Sequence, residues 1–411
     1  MKLCYSHSGR QFFFITLTTV GRAKVFSQLV DEATRPRLSA IGEVVKAALL
    51  ALHRVNAAVT VSDFVIMPDH LHFIMIVDYG RDRRVSPLFL SHRLVDAVER
   101  YVEWTGLRPE PRSVAEIGPE PRSVAEIGPE PRGVAKIGPE PRGVAEGGNG
   151  EHLVETMVRL IRAAIANVKA SPSKPLPHTS AIESNTSKPP PCTSKPSPHT
   201  AVFDRSCYIE LSFDSRQLKA TRRYIKLNPA RALWKLRHPD RFRRIAIPVE
   251  KLLGPHPSAP WGSGRCPVQF HALGDLSLLG SPFFFHVRLT LKKSLAEHEA
   301  AIAEIVVDAR RGRIPVSGFI SPGEREALRR LKATPGVRFI KLLPHALPPR
   351  YDPSAEDSRE IADGRMLLLS GFPDTPAISS LEMRRSSAAS HAFRQNCLAM
   401  NDLAAALCSR G

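Results

Sequence analysis

None of the six cysteines (Cys4, Cys192, Cys207, Cys266, Cys397, Cys408) stands in a C-x-x-C pair. That spacing gives no sign of a zinc knuckle or a disulfide framework, and ordinary reduced thiols are expected. Long apolar runs are also missing: Gln11–Thr19 and Phe64–Met67 are strand-length, far short of the ~20 residues that cross a bilayer as a helix. The opening residues reach His7 and Arg10 without the apolar stretch of a secretory signal, so a cytoplasmic, nucleoid-associated protein with no membrane partner is expected. Acidic residues are in deficit, with 40 Asp+Glu against 58 Lys+Arg, a formal charge of +18 and a pI near 10.0. Such a balance favours a polyanion such as nucleic acid over an acidic metabolite, although charge alone does not choose between DNA, RNA and a membrane surface.

What is present suggests two folded units, since 411 residues exceed what one core usually serves and 43% are hydrophobic. The first hundred residues read as strand, helix, strand, strand: Gln11–Thr19, Arg37–Val55, Val59–Met67 and Leu71–Val77, with a tight turn at Pro68-Asp69. A further helix is expected over Ser91–Trp104. Residues 107–150 form a decapeptide-repeat loop, PEPRSVAEIG written twice and then PEPRGVAKIG, whose period is too short for a stacking solenoid. Tandem duplication of a surface loop accounts for it, with a partner-binding arm as the alternative. Helical spacing resumes over Glu151–Ala170. A Pro-rich linker over 171–200 follows, and His178 and His199 belong to its repeated phrases.

Two elements carry chemistry. In a strand, residues two apart share a face, so His70-Leu71-His72 sets two imidazoles side by side with Leu71 turned to the core. This is half of a metal site, suited to Mn, Zn or Fe, or to Mg if oxygen ligands complete it; alone, H-x-H is a weak signal. Asp69 is either a turn residue or a partner orienting an imidazole, with the turn preferred. The second element is Arg222-Arg223-Tyr224-Ile225-Lys226-Leu227-Asn228-Pro229. On one helix, Tyr224 and Asn228 stack at i, i+4, and the amide oxygen becomes a candidate third ligand, while Pro229 is expected to cap or kink the helix. A helical tyrosine ordinarily packs, but Arg222, Arg223 and Lys226 make a surround that favours the phenolate and attracts phosphate. With Arg231 they are the candidates for tracking the DNA backbone. Phe203, Tyr208 and Trp234 are candidates to stack on unpaired bases, against core packing as the commoner role of aromatics.

Val65-Ile66-Met67-Pro68-Asp69-His70-Leu71-His72, followed by Arg223-Tyr224-Ile225, Asn228-Pro229-Ala230-Arg231-Ala232, resembles the single-tyrosine HUH transposases, specifically the REP-associated tyrosine transposases. The leading strand Phe14–Thr18 and Val202–Arg205 fit the same layout, so the resemblance covers roughly residues 10–244. It implies a metal site at His70, His72 and Asn228 with Mg or Mn, Tyr224 as nucleophile, and a ferredoxin-like α+β domain around a central antiparallel sheet. It further implies cleavage and strand transfer of single-stranded or hairpin DNA through a 5′-phosphotyrosine, by a monomer or homodimer. Two other readings stay open: a hairpin-binding regulator that no longer cuts, and a phosphoesterase that uses water and leaves Tyr224 idle.

A second domain is expected over 250–411, where strands alternate with helices as in parallel-sheet α/β proteins. Its strands are Phe283–Leu291, Ile314–Ile320, Val337–Leu343 and Arg365–Ser370; its helices are Ser294–Arg310, Glu324–Leu331 and Phe393–Leu407. The order loosely resembles Rossmann-type domains related to DNA-processing protein A. Ser317, Gly318, Ser321 and Glu324 form either a phosphate-holding turn at a helix start or an ordinary strand-to-helix turn, the latter preferred.

Overall fold

The computed structural model describes residues 9–30, 35–107, 149–170, 201–212, 214–253, 269–289, 294–349, 351–372 and 386–409. The decapeptide repeats and the Pro-rich linker, with His178 and His199, fall outside the described residues. The chain is an α/β protein that divides into two compact units, 1–232 and 233–411.

The first unit is built on β1 (Arg10–Thr19), α1 (Ala40–Val55), β4 (Val59–Ile66), β5 (His70–Asp78), α2 (Pro87–Thr105), α3 (Asn149–Ala170), β6 (Phe203–Ser212) and α4 (Ser215–Arg237). Two-residue strands β2 (Ser27–Gln28) and β3 (Arg37–Leu38) pair separately. The main sheet runs β4-β5-β1-β6 with every neighbouring pair antiparallel, the ferredoxin-like arrangement. Alternation along the strands sorts its two faces. Ile15, Leu17, Leu71, Phe73, Met75 and Val77 pack against α1, α2 and α3, whose buried residues include Val45, Leu94 and Met157. On the opposite face Phe12, Phe14, Val65, Ile74 and Ile76 meet Ile225, Leu218 and Ala232 of α4.

Two boundaries differ from expectation. The helix predicted from Arg37 begins at Ala40, because Arg37–Leu38 pair as strand and the Ser39 side chain accepts the Gly42 N–H as an N-cap. Pro229 neither ends nor starts a helix but sits inside α4, which continues to Arg237. Its ring removes one backbone donor, and the flanking turns keep the helix going.

The second unit holds β7 (Ile245–Pro248), α5 (Val249–Leu253), β8 (Gln269–Gly274), β9 (Phe284–His286), α6 (Leu295–Arg310), β10 (Ile314–Ser317), α7 (Pro322–Ala333), β11 (Phe339–Leu342), α8 (Ala355–Ala362), β12 (Met366–Ser370) and α9 (Ser387–Cys408). Its sheet runs β7-β8-β12-β11-β10-β9, parallel from β9 to β12 and antiparallel at β8 and β7. β12 is buried throughout because both faces are covered, as parallel strands require. Leu367 and Leu369 face a core with Met400 and Leu403 of α9, while Met366 and Leu368 face one with Ile302, Leu331 and Ile361 of α6, α7 and α8. The sequence boundary at residue 244, with a second domain from 250, sits differently in the structure. The chain divides between Ala232 and Leu233, and β7 pairs with β8 inside the second sheet.

Candidate active site

His70 and His72 emerge on the sheet face that α4 covers. In the strand register Thr16 of β1 lies opposite His72, and directly opposed residues share a face. The Thr16 hydroxyl meets His72 Nδ1 at 2.8 Å. Asp69, at the β4–β5 turn, meets His70 Nδ1 at 2.6 Å, so it serves both as the turn residue and as the partner that orients an imidazole. The turn itself is anchored: Thr19 N–H and Oγ each donate to the Asp69 carbonyl at 3.0 Å, and Phe26 N–H donates to the Pro68 carbonyl at 3.0 Å. With both Nδ1 atoms engaged, Nε2 is the atom each ring presents to the site. The ring centroids are 4.7 Å apart.

Tyr224 reaches the same point from α4. Its hydroxyl lies 3.5 Å from His72 Nε2 across 152 residues of sequence, and the two ring centroids are 5.3 Å apart. Phe14 fills the floor, stacked on His72 at 5.2 Å and edge-on to Tyr224 at 6.1 Å. Helix α4 holds the phenol there because Ile225, one residue on, is buried against Val65, Met67 and Ile74. Asn228 follows Tyr224 by one helical turn and is buried. Arg231 follows by two and places its guanidinium 5.3 Å from the Tyr224 ring centroid.

The electrostatics suit a metal ligand set. Burial pushes the pKa of His72 well below its ordinary value, and the positive charges of His70, Arg22 and Arg231 push the same way, so the ring is neutral near neutral pH. Burial pushes the Asp69 carboxyl up, but its hydrogen bond to His70 and the charges of His70 and Arg22 outweigh this and leave it lowered. Two imidazoles held through their Nδ1 atoms, and an amide on the adjoining helix face, are groups that could donate to a small divalent metal. Among the described residues no group of three or more His, Cys, Asp or Glu could hold a metal, so an ion here would need the Asn228 amide, substrate oxygens or water.

The basic residues divide. Arg223 and Lys226 are exposed on α4, and Arg222 is exposed while its Nε donates to Asp63 at 3.0 Å. Arg231, expected on the DNA-tracking surface, is instead buried beside Tyr224 because it shares that residue's helix face. Among the aromatics, Phe203 is a core residue tilted against Phe26, which ends its candidacy as a stacking platform. Tyr208 is exposed and Trp234 is half-buried.

The candidate phosphate turn of the second unit is spoken for. Ser321 and Glu324 form a capping box: Ser321 Oγ accepts the Glu324 N–H, and Glu324 Oε2 accepts the N–H groups of Ile320 at 3.0 Å and Ser321 at 3.2 Å. Ser317 Oγ accepts the Phe319 N–H at 3.1 Å. A carboxylate already occupies the position an anion would take. A Cβ at Gly318 would meet the end of the Met400 side chain, which would have to move aside.

Thr16 and Phe14 were not singled out by sequence, although their place on the strand preceding the histidines, at alternate positions, was the available signal. No family model matches the chain. Nor does any curated protein match it in sequence. A solved structure of DNA processing protein A from Helicobacter pylori, described for its unique single-stranded DNA binding mode, is similar at 22% identity with a TM-score of 0.24. The similarity covers 35% of this chain and 63% of that one. Among the described residues no helix is long and apolar enough to cross a membrane.

Proposed function

We propose that this chain cuts and rejoins single-stranded DNA through Tyr224, as the single-tyrosine HUH transposases it resembles do, and that its substrate is hairpin DNA of the REP or insertion-sequence-end type. The observation that carries this reading is the meeting of the Tyr224 hydroxyl with His72 Nε2 at 3.5 Å, with His70 alongside. A structural tyrosine needs no oriented imidazole at its hydroxyl.

His70 Nε2 and His72 Nε2, with the Asn228 amide oxygen, would hold the divalent metal, Mg or Mn, which when bound polarises the scissile phosphate and spreads its charge. Thr16 and Asp69, by engaging the two Nδ1 atoms, would leave both Nε2 atoms for the metal. Arg231 attracts the phosphate to the phenol and its charge offsets that of the transition state. The Tyr224 oxygen attacks phosphorus; the bond to the 3′ oxygen breaks; the phenol proton leaves to solvent and the departing oxygen gains one to become a free 3′-OH. The DNA 5′ end remains as a phosphotyrosine ester, which conserves the energy of the phosphodiester for rejoining without a nucleotide cofactor. Exposed Arg223 and Lys226, with Arg222, would follow the backbone on either side.

The test is a labelled single-stranded hairpin incubated with the protein and Mn or Mg, read by denaturing gel. A protein–DNA adduct that disappears in Tyr224→Phe is the expected result. Cleavage that survives Tyr224→Phe selects a water-using phosphoesterase, and tight hairpin binding without cleavage by the parent protein selects a regulator.

A further inference from the structure

Beside the proposed nucleophile, the same sheet face carries a second set of polar and aromatic groups that the cutting reaction does not use. Thr16 is opposed by His72 on one side and by Tyr208 of β6 on the other, and Phe14 is opposed by Ile74 and Glu210. Tyr208 and Glu210 therefore lie on the face that bears the histidines, two strands across, about 10 Å from them by strand spacing. Tyr208 is 37% exposed, the edge strand β6 carries it, and its ring is 6.4 Å from Phe14 in an edge-on contact. Phe14 in turn touches both His72 and Tyr224, so a row of aromatic rings runs from the edge of the sheet to the nucleophile.

Glu210 sits under the outer end of this row. Its two carboxylate oxygens accept from Tyr208 Oη at 3.3 Å and from Gln217 Nε2 at 2.8 Å. Gln217 is seven residues before Tyr224 on α4, hence on the same helix face. A carboxylate accepts about four hydrogen bonds, so each Glu210 oxygen keeps capacity for another donor. Burial raises this carboxyl above its ordinary value, and the Tyr208 and Gln217 hydrogen bonds oppose that rise. A carboxylate kept half-buried within a basic domain, at the rim of a phosphate-attracting site, repels backbone but suits a base edge that donates.

We infer that Tyr208, Glu210 and Gln217 form a base-reading subsite for single-stranded DNA, in which an unpaired base stacks on Tyr208 and gives an exocyclic amino hydrogen to Glu210, so that cytosine or adenine is taken in preference to thymine. The inference rests on the single-stranded DNA reading above and adds to it the base that is chosen. Stacking supplies sequence-tolerant affinity, and the carboxylate supplies the discrimination, because thymine offers a carbonyl where cytosine offers an amino group.

The experiment separates this from cutting by using Tyr224→Phe protein without metal at pH 8, and fluorescein-labelled homo-oligonucleotides of thymine, cytosine and adenine in an anisotropy titration. Oligo-dC and oligo-dA are expected to bind about tenfold more tightly than oligo-dT. Tyr208→Ala should weaken all three by about tenfold, and Tyr208→Phe, which keeps the stacking ring, should restore most of that loss. Glu210→Gln, which adds a donor, should bring oligo-dT to within about twofold of oligo-dC. A thymine disadvantage that persists in Glu210→Gln overturns the inference, as does Tyr208→Ala binding equal to the parent. If the parent binds none of the three oligonucleotides, the single-stranded DNA reading fails with it; if it binds them with no dependence on Tyr208 or Glu210, only the subsite fails.

Discussion

Replacing Thr16 by valine removes one oxygen from the site and little else. The two side chains are nearly the same shape and both suit a strand, so β1 should keep its register between β5 and β6. What is lost is the 2.8 Å contact that holds His72 Nδ1. His72 is only 4% exposed, so its ring nitrogen would be left in a site with little access to water. Leaving such a group without its partner costs about 1–3 kcal/mol. In a unit of this size each kcal/mol lowers Tm by about 2–4 °C. The effect on metal should be larger in proportion. When Nδ1 donates its hydrogen to Thr16, Nε2 carries the lone pair that a metal needs; without that partner the other tautomer and other ring orientations become accessible. Losing an orienting partner typically lowers metal affinity about 10- to 100-fold. Calorimetric titration of Mn into the parent and Thr16→Val proteins measures this directly, with thermal unfolding as the second readout. The same substitution in a His72→Ala background should cost neither stability nor affinity further, since the partner is gone. Mn affinity within about twofold of the parent, with a normal melting curve, would refute the argument that Thr16 sets the ring.

Two further substitutions test the fold around the site. Gly42→Ala, inside α1, should destabilise by about 1–3 kcal/mol even though alanine is favoured over glycine in helices by about 1 kcal/mol. Its Cβ would collide with the Phe26 carbonyl oxygen, which already accepts from Ser39 N at 2.9 Å and Ser39 Oγ at 3.0 Å; chemical denaturation gives the sign. In the second unit, Asp357 is 4% exposed and bonds Lys332 at 2.6 Å and Lys341 at 2.8 Å. Asp357→Asn should cost that unit about 2–4 kcal/mol by taking the carboxylate from Lys341 and leaving Lys332 with the more distant Glu356 at 3.8 Å, read as an earlier unfolding transition. Burial pushes the Asp357 carboxyl up, but Lys341 and Lys332 outweigh it and hold it below its ordinary value. Its contribution is therefore fully present above the unfolded pKa of about 4 and lost as the pH falls through the lower folded value. An acid titration of stability should show that loss in the parent and not in Asp357→Asn.

Where a periodic pattern lay within one element, the sequence was legible. Alternation in β5 separated Leu71 from His70 and His72, and helical spacing put Tyr224 and Asn228 on one face of α4; that Arg231, two turns on, shares this face went unread although the same spacing carries it. What periodicity does not encode is the partner across a strand pair. Thr16 meets His72 only because β1 and β5 pair in one register, which long-range contacts decide. At Ser321 and Glu324 the preferred reading, an ordinary strand-to-helix turn rather than a phosphate-holding one, is what the structure has: the three-residue spacing is a capping box, and the donors at that turn are used internally. β7 is four residues long and ends in Pro248, tolerable at the sheet edge it occupies but too short to read as a strand. α8 is a short and mostly polar helix, and it holds its place through Ile361 and the buried Asp357 rather than through an apolar stripe.

The sequence distance between the histidines and the tyrosine raises a thermodynamic question, because both expanded segments, 107–150 and 171–200, fall in that interval. Closing a longer loop costs little: each doubling of length adds only about 0.6 kcal/mol. Burying one side chain such as Ile225 contributes about 1.5–3 kcal/mol. The interval is also broken by elements that are independently held. Met157 and Ile161 bury α3 in the core of the first unit, and the buried Glu99 of α2 accepts the Phe203 N–H at 3.2 Å where β6 begins. β6 then pairs with β1 from Phe203 onward and delivers the chain to α4. Lengthening either segment therefore adds entropy to a closure that the folded elements on each side already determine. The site contacts themselves arise from β1, β5 and α4, and neither expanded segment interrupts any of the three. Insertions of this size can accumulate between α2 and β6 with little effect on the approach of Tyr224 to His72, whereas a single residue inserted between Phe14 and Thr16 would turn Thr16 to the opposite face and undo it.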